Sequence, residues 1–278
     1  MRTAHRYCLF AALLLSLWAP AAAAHANLIN DAKLGKLHAV RADIAAHADV
    51  NAKDRDGFTA LMMAANAGHA DCLSALIAAH ADVDTKDSYG LTALMTAALF
   101  GHADCARALI AAHADVNAKA NNGFTALIFA AQYGHADCIN ALIAARADVN
   151  AKTSSCETAL TETAYKGYTD CVRILIAAHA DVNVKDDAGW TALMRASREG
   201  HTDCVRALLA AGADLDAKDR NGLTALMMAA QKSRSDCVKA LIAAHSNVNV
   251  KDIKGETALV LARDPDIRAA LKAAGATR

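Results

Sequence analysis

The chain is poor in residues that interrupt regular structure, in aromatic residues and in net charge. Only two of its 278 residues are proline, 4% are aromatic, and basic and acidic residues number 29 each. A nucleic-acid-binding protein would show a basic excess, so that class is not indicated. No Pro/Ser-rich or low-complexity tract suggests a linker to a second domain. Catalytic motifs such as G-x-S-x-G, the P-loop and the dinucleotide fingerprint are missing, so we predict neither an enzyme nor a cofactor.

What the sequence does contain is a repeat of 33 residues that runs from residue 57 to the C-terminus. Six cysteines keep this interval: Cys72, Cys105, Cys138, Cys171, Cys204 and Cys237. A Thr-Ala-Leu triplet keeps it as well, from Thr59 to Thr257. A fixed period of about 20 to 50 residues is typical of solenoids, which offer an extended surface rather than a closed catalytic pocket.

Each unit predicts two short helices. Thr59 is suited to cap the first helix, and Gly68 is suited to end it. The second helix is predicted to begin near Ala70, with Asp71 in its first turn, where the helix dipole favours a negative charge. Its apolar residues recur at helical spacing: Cys72, Leu73, Leu76 and Ile77. A polar loop then leads to the turn glycine of the next unit.

The pattern G-x-T-A-L-x-x-A-A-x-x-G-H-A-D-C-x-x-A-L-I-A-A-x-A-D-V-N-A-K-D resembles the ankyrin repeat over about residues 27–276. The family's T-P-L-H reads T-A-L-M here, but alanine is a good helix former, so the fold expectation is unchanged. The resemblance implies an all-α ankyrin-repeat solenoid of helix-turn-helix units with hairpin-like loops. Within an ankyrin-repeat domain at 27–278, we expect an N-terminal cap at 27–56, six full repeats at 57–254 and a C-terminal cap at 255–278.

Residues 1–26 have the features of a secretory signal peptide. A positive start is followed by an apolar core of 12 residues, Tyr7 to Trp18, which is too short for a bilayer span of about 20. Cleavage could follow Ala24 or Ala26, and an uncleaved anchor is the alternative. Loss of Arg2 and Arg6 would leave 27 basic and 29 acidic residues, a net charge of −2. We therefore expect a secreted or periplasmic monomer with no membrane segment after cleavage. The compartment stays open, and the lack of an N-x-S/T sequon weakly favours a bacterium.

The repeated cysteines are expected to be buried in the second helices. Equivalent residues of stacked helices lie about 8–10 Å apart, beyond the reach of a disulfide. The His-Ala-Asp-Cys segments do not place their side chains on one point, so we predict no metal site. Cys156 replaces a turn glycine, and either drift of one repeat or an exposed reactive thiol would explain it.

Five histidines occupy one repeat position at the end of the second helix: His47, His80, His113, His179 and His245. A histidine can adopt the left-handed conformation and stabilise a helix C-terminus, or it can titrate near neutral pH as part of a pH-responsive stripe. Another pair of positions, Glu162 and Arg195, lies one repeat apart where other units have Met63 or Phe129. We expect these two residues to form a partly buried ion pair.

The aromatic residues carry the functional prediction. The resemblance implies that a partner contacts the loop tips and the exposed, concave side of the first helices. The predicted partner-binding residues stand at those positions: Phe58, Tyr89, Leu91, Leu99, Phe100, Phe124, Tyr133, Tyr165 and Trp190. Phe58, Phe124 and Trp190 could instead cover the tops of the first helices. We expect another protein as the partner, with Phe100 and Tyr133 at the centre of the contact. An accessory or effector of a secreted enzyme system and a self-associating structural array are the alternatives.

Overall fold

The computed structural model describes residues 27–277. The predicted signal peptide at 1–26 lies outside the described residues. Within the described range all regular elements are α-helices and no β-strand occurs, which confirms the predicted all-α fold. The helices alternate between a first and a second helix of each unit and are numbered α1 to α16, with α1 at residues 27–33. The boundaries of the predicted caps and full repeats stay a prediction.

The first helices of the units are α3 (Ala60–Ala67), α5 (Ala93–Phe100), α7 (Ala126–Tyr133), α9 (Ala159–Lys166), α11 (Ala192–Glu199), α13 (Ala225–Gln231) and α15 (Ala258–Leu261). The second helices are α2 (Leu37–Ala45), α4 (Ala70–Ala78), α6 (Ala103–Ala111), α8 (Ala136–Ala144), α10 (Thr169–Ala177), α12 (Thr202–Ala210), α14 (Ser235–Ala243) and α16 (Pro265–Ala273).

Local sequence determines where the first helices begin and end. The hydroxyl of Thr59 accepts a hydrogen bond from the backbone N–H of Met62 at 3.3 Å, which satisfies one of the free donors at the helix start. The equivalent threonines of α5 and α7 do the same. Gly68 ends α3 with φ 75°, a left-handed conformation that glycine adopts without a side-chain clash. The predicted start and end of this helix are therefore confirmed.

The core consists of small and apolar side chains from both helices of each unit. Leu61 and Ala64 of α3 and Cys72, Leu73 and Leu76 of α4 are at most 1% exposed. Helices of eight or nine residues are marginal in isolation, whereas burying one leucine side chain contributes about 1.5–3 kcal/mol. Packing between neighbouring units therefore stabilises helices that would not form alone.

The repeats of the described residues group into two larger compact units, which divide between Asn121 and Asn122. The terms first unit and second unit below refer to these two parts of the chain. In the first unit α3 packs against α5, while α2, α4 and α6 pack in chain order. In the second unit α7, α9, α11, α13 and α15 pack in chain order, and α8, α10, α12, α14 and α16 do the same. Within each of these two units, equivalent residues of successive repeats therefore lie in similar surroundings.

Loops with a hairpin-like hydrogen-bond pattern precede the first helices. The N–H of Asp54 donates to the carbonyl of Phe58 at 2.9 Å. One carboxylate oxygen of Asp54 accepts from the N–H groups of Asp56 at 3.0 Å and Phe58 at 2.9 Å. Successive loop tips are also joined, since the N–H of Asp187 donates to the carbonyl of Ser155 at 3.2 Å. The loops thus hold defined positions beside the first helices.

Candidate functional site

Four of the predicted binding residues expose large parts of their aromatic side chains. In the first unit Tyr89 is 67% exposed and Phe100 is 49% exposed. In the second unit Tyr133 is 51% exposed and Tyr165 is 37% exposed. Tyr89 lies at a loop tip, and the other three lie in the last turns of first helices. These rings are therefore available to a partner, although they contribute little to the core.

The remaining predicted residues are half-buried. Phe58, Leu91 and Leu99 in the first unit and Phe124 and Trp190 in the second have intermediate exposure. The ring of Phe124 packs against Phe129 with centroids 5.0 Å apart, and Phe129 is 8% exposed. Phe124 therefore packs over a first helix, as the alternative interpretation of Phe58, Phe124 and Trp190 states.

Two of the exposed aromatic rings pair with histidine rings. The ring of Phe100 stacks on His102 at a centroid distance of 6.4 Å, and Tyr133 stacks on His135 at 6.2 Å. The Nε2 atom of His102 lies 3.0 Å from the carbonyl oxygen of Asn66, which orients the imidazole. Phe100 and Tyr133 thus each have an imidazole within aromatic-pair distance, while much of each ring stays exposed. Within residues 27–121, no ring pair joins Phe58, Tyr89 and Phe100 to one another.

A cluster of ionised side chains lies in the second unit, and it corrects the predicted Glu162–Arg195 ion pair. The Nη2 atom of Arg195 donates to Oε1 of Glu157 and to Oδ2 of Asp186, both at 2.6 Å. Glu162 is not its partner. Arg195 lies at the end of the first turn of α11. Glu157 and Asp186 lie in the loops that precede α9 and α11, within reach of its long side chain. We call Glu157, Glu162, Asp186 and Arg195 the Arg195 cluster.

Sequence reasoning missed Glu157 and Asp186. Asp186 is the loop aspartate that recurs in most units, and its other carboxylate oxygen accepts from the N–H groups of Ala188 at 2.8 Å and Trp190 at 2.9 Å. Glu157 could have been noticed, because its repeat position holds an apolar or aromatic residue in five other units: Phe58, Leu91, Phe124, Trp190 and Leu223. Glu256 is the other acid at this position, so the departure at Glu157 marks the place but does not by itself predict the partner.

The surroundings affect the charged forms of Glu162 and Arg195 differently. Burial raises the pKa of Glu162, and nearby Glu157 raises it further, while Arg195 and Lys166 partly oppose the shift. Burial alone would lower the pKa of Arg195, but its bonds to Asp186 and Glu157 raise that pKa above its ordinary value. Arg195 therefore stays charged, whereas burial disfavours the charged form of Glu162.

Two of the predicted aromatic residues meet at this cluster. The guanidinium carbon of Arg195 lies 5.7 Å from the ring centre of Tyr165 and 6.0 Å from that of Trp190. Lys166 lies 5.2 Å from the Tyr165 ring, and Arg198 lies 5.1 Å from the Trp190 ring. The indole N–H of Trp190 donates to Oδ2 of Asp219 at 3.1 Å. Aromatic faces attract cations at these distances, so the two rings can take part in recognition of a positive group.

The cysteines and the histidine row occupy the predicted environments. The six repeated cysteines are at most 3% exposed, and Cys156 has intermediate exposure. Cys156 has φ 61°, so the turn requires the left-handed conformation there even without glycine. The row histidines, from His47 to His245, have φ between 61° and 67°. Their left-handed backbone supports the helix-ending role, and a pH-responsive role remains a hypothesis.

Among the cysteines of residues 27–277, Cys156 is expected to react first with a thiol reagent in the native protein, because the other six thiols of that range are buried. A hydrogen bond from the thiol to Asp187 raises the pKa of Cys156. Labelling should therefore speed up at higher pH than for an ordinary exposed thiol, and Asp187→Ala should speed it up at neutral pH. Timed quenching followed by peptide mass mapping measures both effects. Equal labelling of Cys105 or Cys138, or three intact disulfides, would contradict the assignment.

Other kinds of site receive no support from the part of the chain that the structure describes. Among residues 27–277, no group of three or more His, Cys, Asp or Glu side chains is placed to hold a metal ion. None of the helices in that range is both long and apolar enough for a membrane crossing.

The chain belongs to the ankyrin-repeat family. The family model described as ankyrin repeats (3 copies) matches residues 28–120, 79–153 and 127–219. A second model, described as ankyrin repeats (many copies), matches residues 208–262. Among solved structures, the crystal structure of the human ASB11 ankyrin repeat domain is similar, with 28% sequence identity and a TM-score of 0.70 over 78% of this chain and 98% of that chain. No curated protein matches the chain.

Ankyrin-repeat domains are typically non-enzymatic modules for protein–protein interaction, and this general role applies to the present chain. Stacked repeats of this kind expose loop tips and helix faces rather than a closed pocket.

Proposed function

We propose that this chain is an exported ankyrin-repeat protein that binds another protein through the exposed aromatic side chains of its first helices and loop tips. The observation that carries this proposal is the exposure of Tyr89, Phe100, Tyr133 and Tyr165, each at least 37% accessible. Aromatic residues are enriched in protein interfaces and dominate their binding energy. In the ankyrin-repeat family this is the concave side.

The surroundings of these rings suit an interface. Arg55, Asp56 and Lys86 in the first unit and Lys152 in the second are exposed near the loop tips. A polar rim around apolar anchors is the usual arrangement of a protein-binding surface. The rings of Phe100 and Tyr133 each pair with a histidine ring, which favours this orientation of the side chain.

Export is supported by the charged start, the short apolar core and the small residues before position 27. Intact mass spectrometry of protein recovered from its host tests it, because cleavage would remove residues 1–24 or 1–26. A recovered mass that includes Met1 would contradict export with cleavage.

Affinity capture with the full chain as bait tests the binding surface. Phe100→Ala and Tyr133→Ala, made separately, should each weaken partner binding by about 2 kcal/mol or more, which is about 30-fold. The free energy of unfolding should change by no more than about 0.5 kcal/mol, because both side chains are largely exposed. Titration of the captured partner and urea unfolding of each variant give the two values.

Each unit offers a matched control on an exposed face of a second helix. Arg107→Ala on α6 controls for Phe100→Ala, and Asn140→Ala on α8 controls for Tyr133→Ala. Both controls should bind normally. The proposal fails if the controls abolish capture while the aromatic variants do not, or if the aromatic variants unfold the protein.

A further inference from the structure

The repeat departs from its own pattern at one place, and the fold brings the departures together. Where other units carry a loop aspartate or a turn glycine, this region has Thr153 and Cys156. Where others carry an apolar residue, it has Glu157, Glu162 and Arg195. The last three residues join Asp186 in the Arg195 cluster, between α9 and α11 of the second unit. Most other repeats of this chain fold with apolar residues at the positions of Glu157, Glu162 and Arg195, so the fold does not require charges there.

The cluster holds more negative than positive charge. Three carboxylates, those of Glu157, Glu162 and Asp186, lie near the guanidinium of Arg195, and Lys166 is the second cation that acts on Glu162. Glu157 and Asp186 each place a carboxylate oxygen 2.6 Å from Nη2 of Arg195. Asp186 is 4% exposed in its side chain, and Arg195 is 13% exposed, so water screens these charges weakly. A further positive group would therefore be attracted strongly.

Glu162 is the carboxylate without a partner. It is 5% exposed, and among residues 27–277 no hydrogen bond or ion pair satisfies it. A buried charge without a partner is costly, and proteins retain one mainly where it has a function. Arg195 and Lys166 oppose the pKa shift of Glu162 only in part, and the Nη2 atom of Arg195 is bound by two other acids. Among residues 27–277, the buried Nε atom of Arg195 has no hydrogen-bond partner.

Aromatic rings stand beside the cluster on its accessible side. Tyr165, on the same helix as Glu162, is 37% exposed, and Trp190 is half-buried. Tyr165 and Trp190 already lie within cation–π distance of Arg195. A cationic side chain from outside could place its charge next to Glu162 and its flat or apolar part on the Tyr165 ring.

We propose that the Arg195 cluster, together with Tyr165 and Trp190, binds a cationic side chain of the protein partner, with arginine as the preferred residue. The inference rests on the proposed function, since it names the chemistry by which one part of the surface recognises its partner. Arginine fits better than lysine because a planar guanidinium can bond a carboxylate with two N–H groups and stack on an aromatic ring at the same time. An acidic side chain would add to the excess of negative charge.

A peptide titration tests this proposal without knowledge of the natural partner. Acetyl-Gly-Arg-Gly-amide is added to the full chain, and the indole N–H resonance of Trp190 is followed by NMR after assignment with Trp190→Phe. We expect a saturable shift with a dissociation constant in the millimolar range, up to about 10 mM for so small a ligand. The same peptide with citrulline, which keeps the shape and most N–H groups but has no charge, should not shift the resonance.

A variant and its matched control locate the effect. Glu162→Gln should weaken binding of the arginine peptide at least tenfold, because it removes the unpaired charge and keeps the shape. Glu256→Gln should leave binding unchanged, because Glu256 occupies the same repeat position as Glu157 in a loop without this cluster. The melting temperature of free Glu162→Gln should stay the same or rise, since the variant removes a buried charge. A residue with a purely structural role would not combine lost binding with retained stability.

Several results would overturn the proposal. These are no saturable shift with the arginine peptide, equal binding of the citrulline peptide, stronger binding of an aspartate peptide, or unchanged binding by Glu162→Gln. Stronger binding by a lysine peptide would overturn the preference for arginine. The citrulline comparison uses the unaltered chain, so it decides even if a variant fails to fold. Loss of capture by Tyr133→Ala together with a negative peptide titration would reject this inference and leave the proposed function in place.

Discussion

Arg195→Leu is expected to lower the free energy of unfolding by about 3–5 kcal/mol, the cost of removing one partner from a buried ion pair. The physical reason is that Glu157 and Asp186 lose a guanidinium bound at 2.6 Å to each, while Glu162 keeps its buried charge beside them. Three carboxylates would then repel one another in a place that water reaches poorly. Urea unfolding followed by circular dichroism measures the change.

The control for Arg195→Leu is Arg198→Leu, three residues along the same helix. Arg198 pairs with Glu199 at 2.9 Å, but its side chain is 34% exposed, so the loss should be below about 1 kcal/mol. Adding Glu162→Leu to Arg195→Leu should recover part of the lost stability, because one of the uncompensated charges is removed. An Arg195→Leu protein with an unchanged urea midpoint would refute the role assigned to this ion pair.

Gly123→Ala is expected to lower the free energy of unfolding by about 2–5 kcal/mol. The left-handed conformation at φ 80° costs a residue with a side chain about 1–2 kcal/mol. An added Cβ atom would also lie 2.8 Å from the backbone nitrogen of Ser154 and 3.0 Å from the carbonyl carbon of Thr153. Backbone cannot move aside as a flexible side chain can, and such overpacking typically costs a further 1–3 kcal/mol, roughly.

Gly255→Ala separates the two contributions. Gly255 has the same φ of 80° in the equivalent turn, but no atom lies within 4 Å of its added Cβ. It should therefore show only the conformational cost of about 1–2 kcal/mol. Equal losses in the two variants, measured by urea unfolding, would mean that the close approach of successive loops does not constrain position 123.

Cys156 provides a natural comparison for these variants. It stands at the same turn position with φ 61°, so a side chain can occupy the turn when the loop allows it. In that loop Thr153 replaces the aspartate, and its hydroxyl accepts from the N–H groups of Ser155 at 3.2 Å and Glu157 at 3.1 Å. The irregular loop therefore keeps the hydrogen bonds of the regular ones with a different side chain.

Much of the fold was determined by the sequence alone, because the information is local and repeated. Thr59 caps its helix through atoms three residues away, Gly68 ends it through its own φ angle, and the face that carries Leu73 and Leu76 follows from helical spacing. The 33-residue period then places each unit against its neighbour. None of these features depends on a side chain that is distant in the sequence, apart from the next unit.

Only the tertiary structure decided which charges pair. Glu162 and Arg195 lie one period apart, so spacing suggested that they meet, but Arg195 instead reaches two loops and binds Glu157 and Asp186. Spacing locates Cα atoms, whereas an ion pair depends on the length and direction of side chains and on the acids that compete for them. The repeat position of Phe124 already allowed that it covers a first helix, and the tertiary structure identified Phe129 as the residue on which it packs.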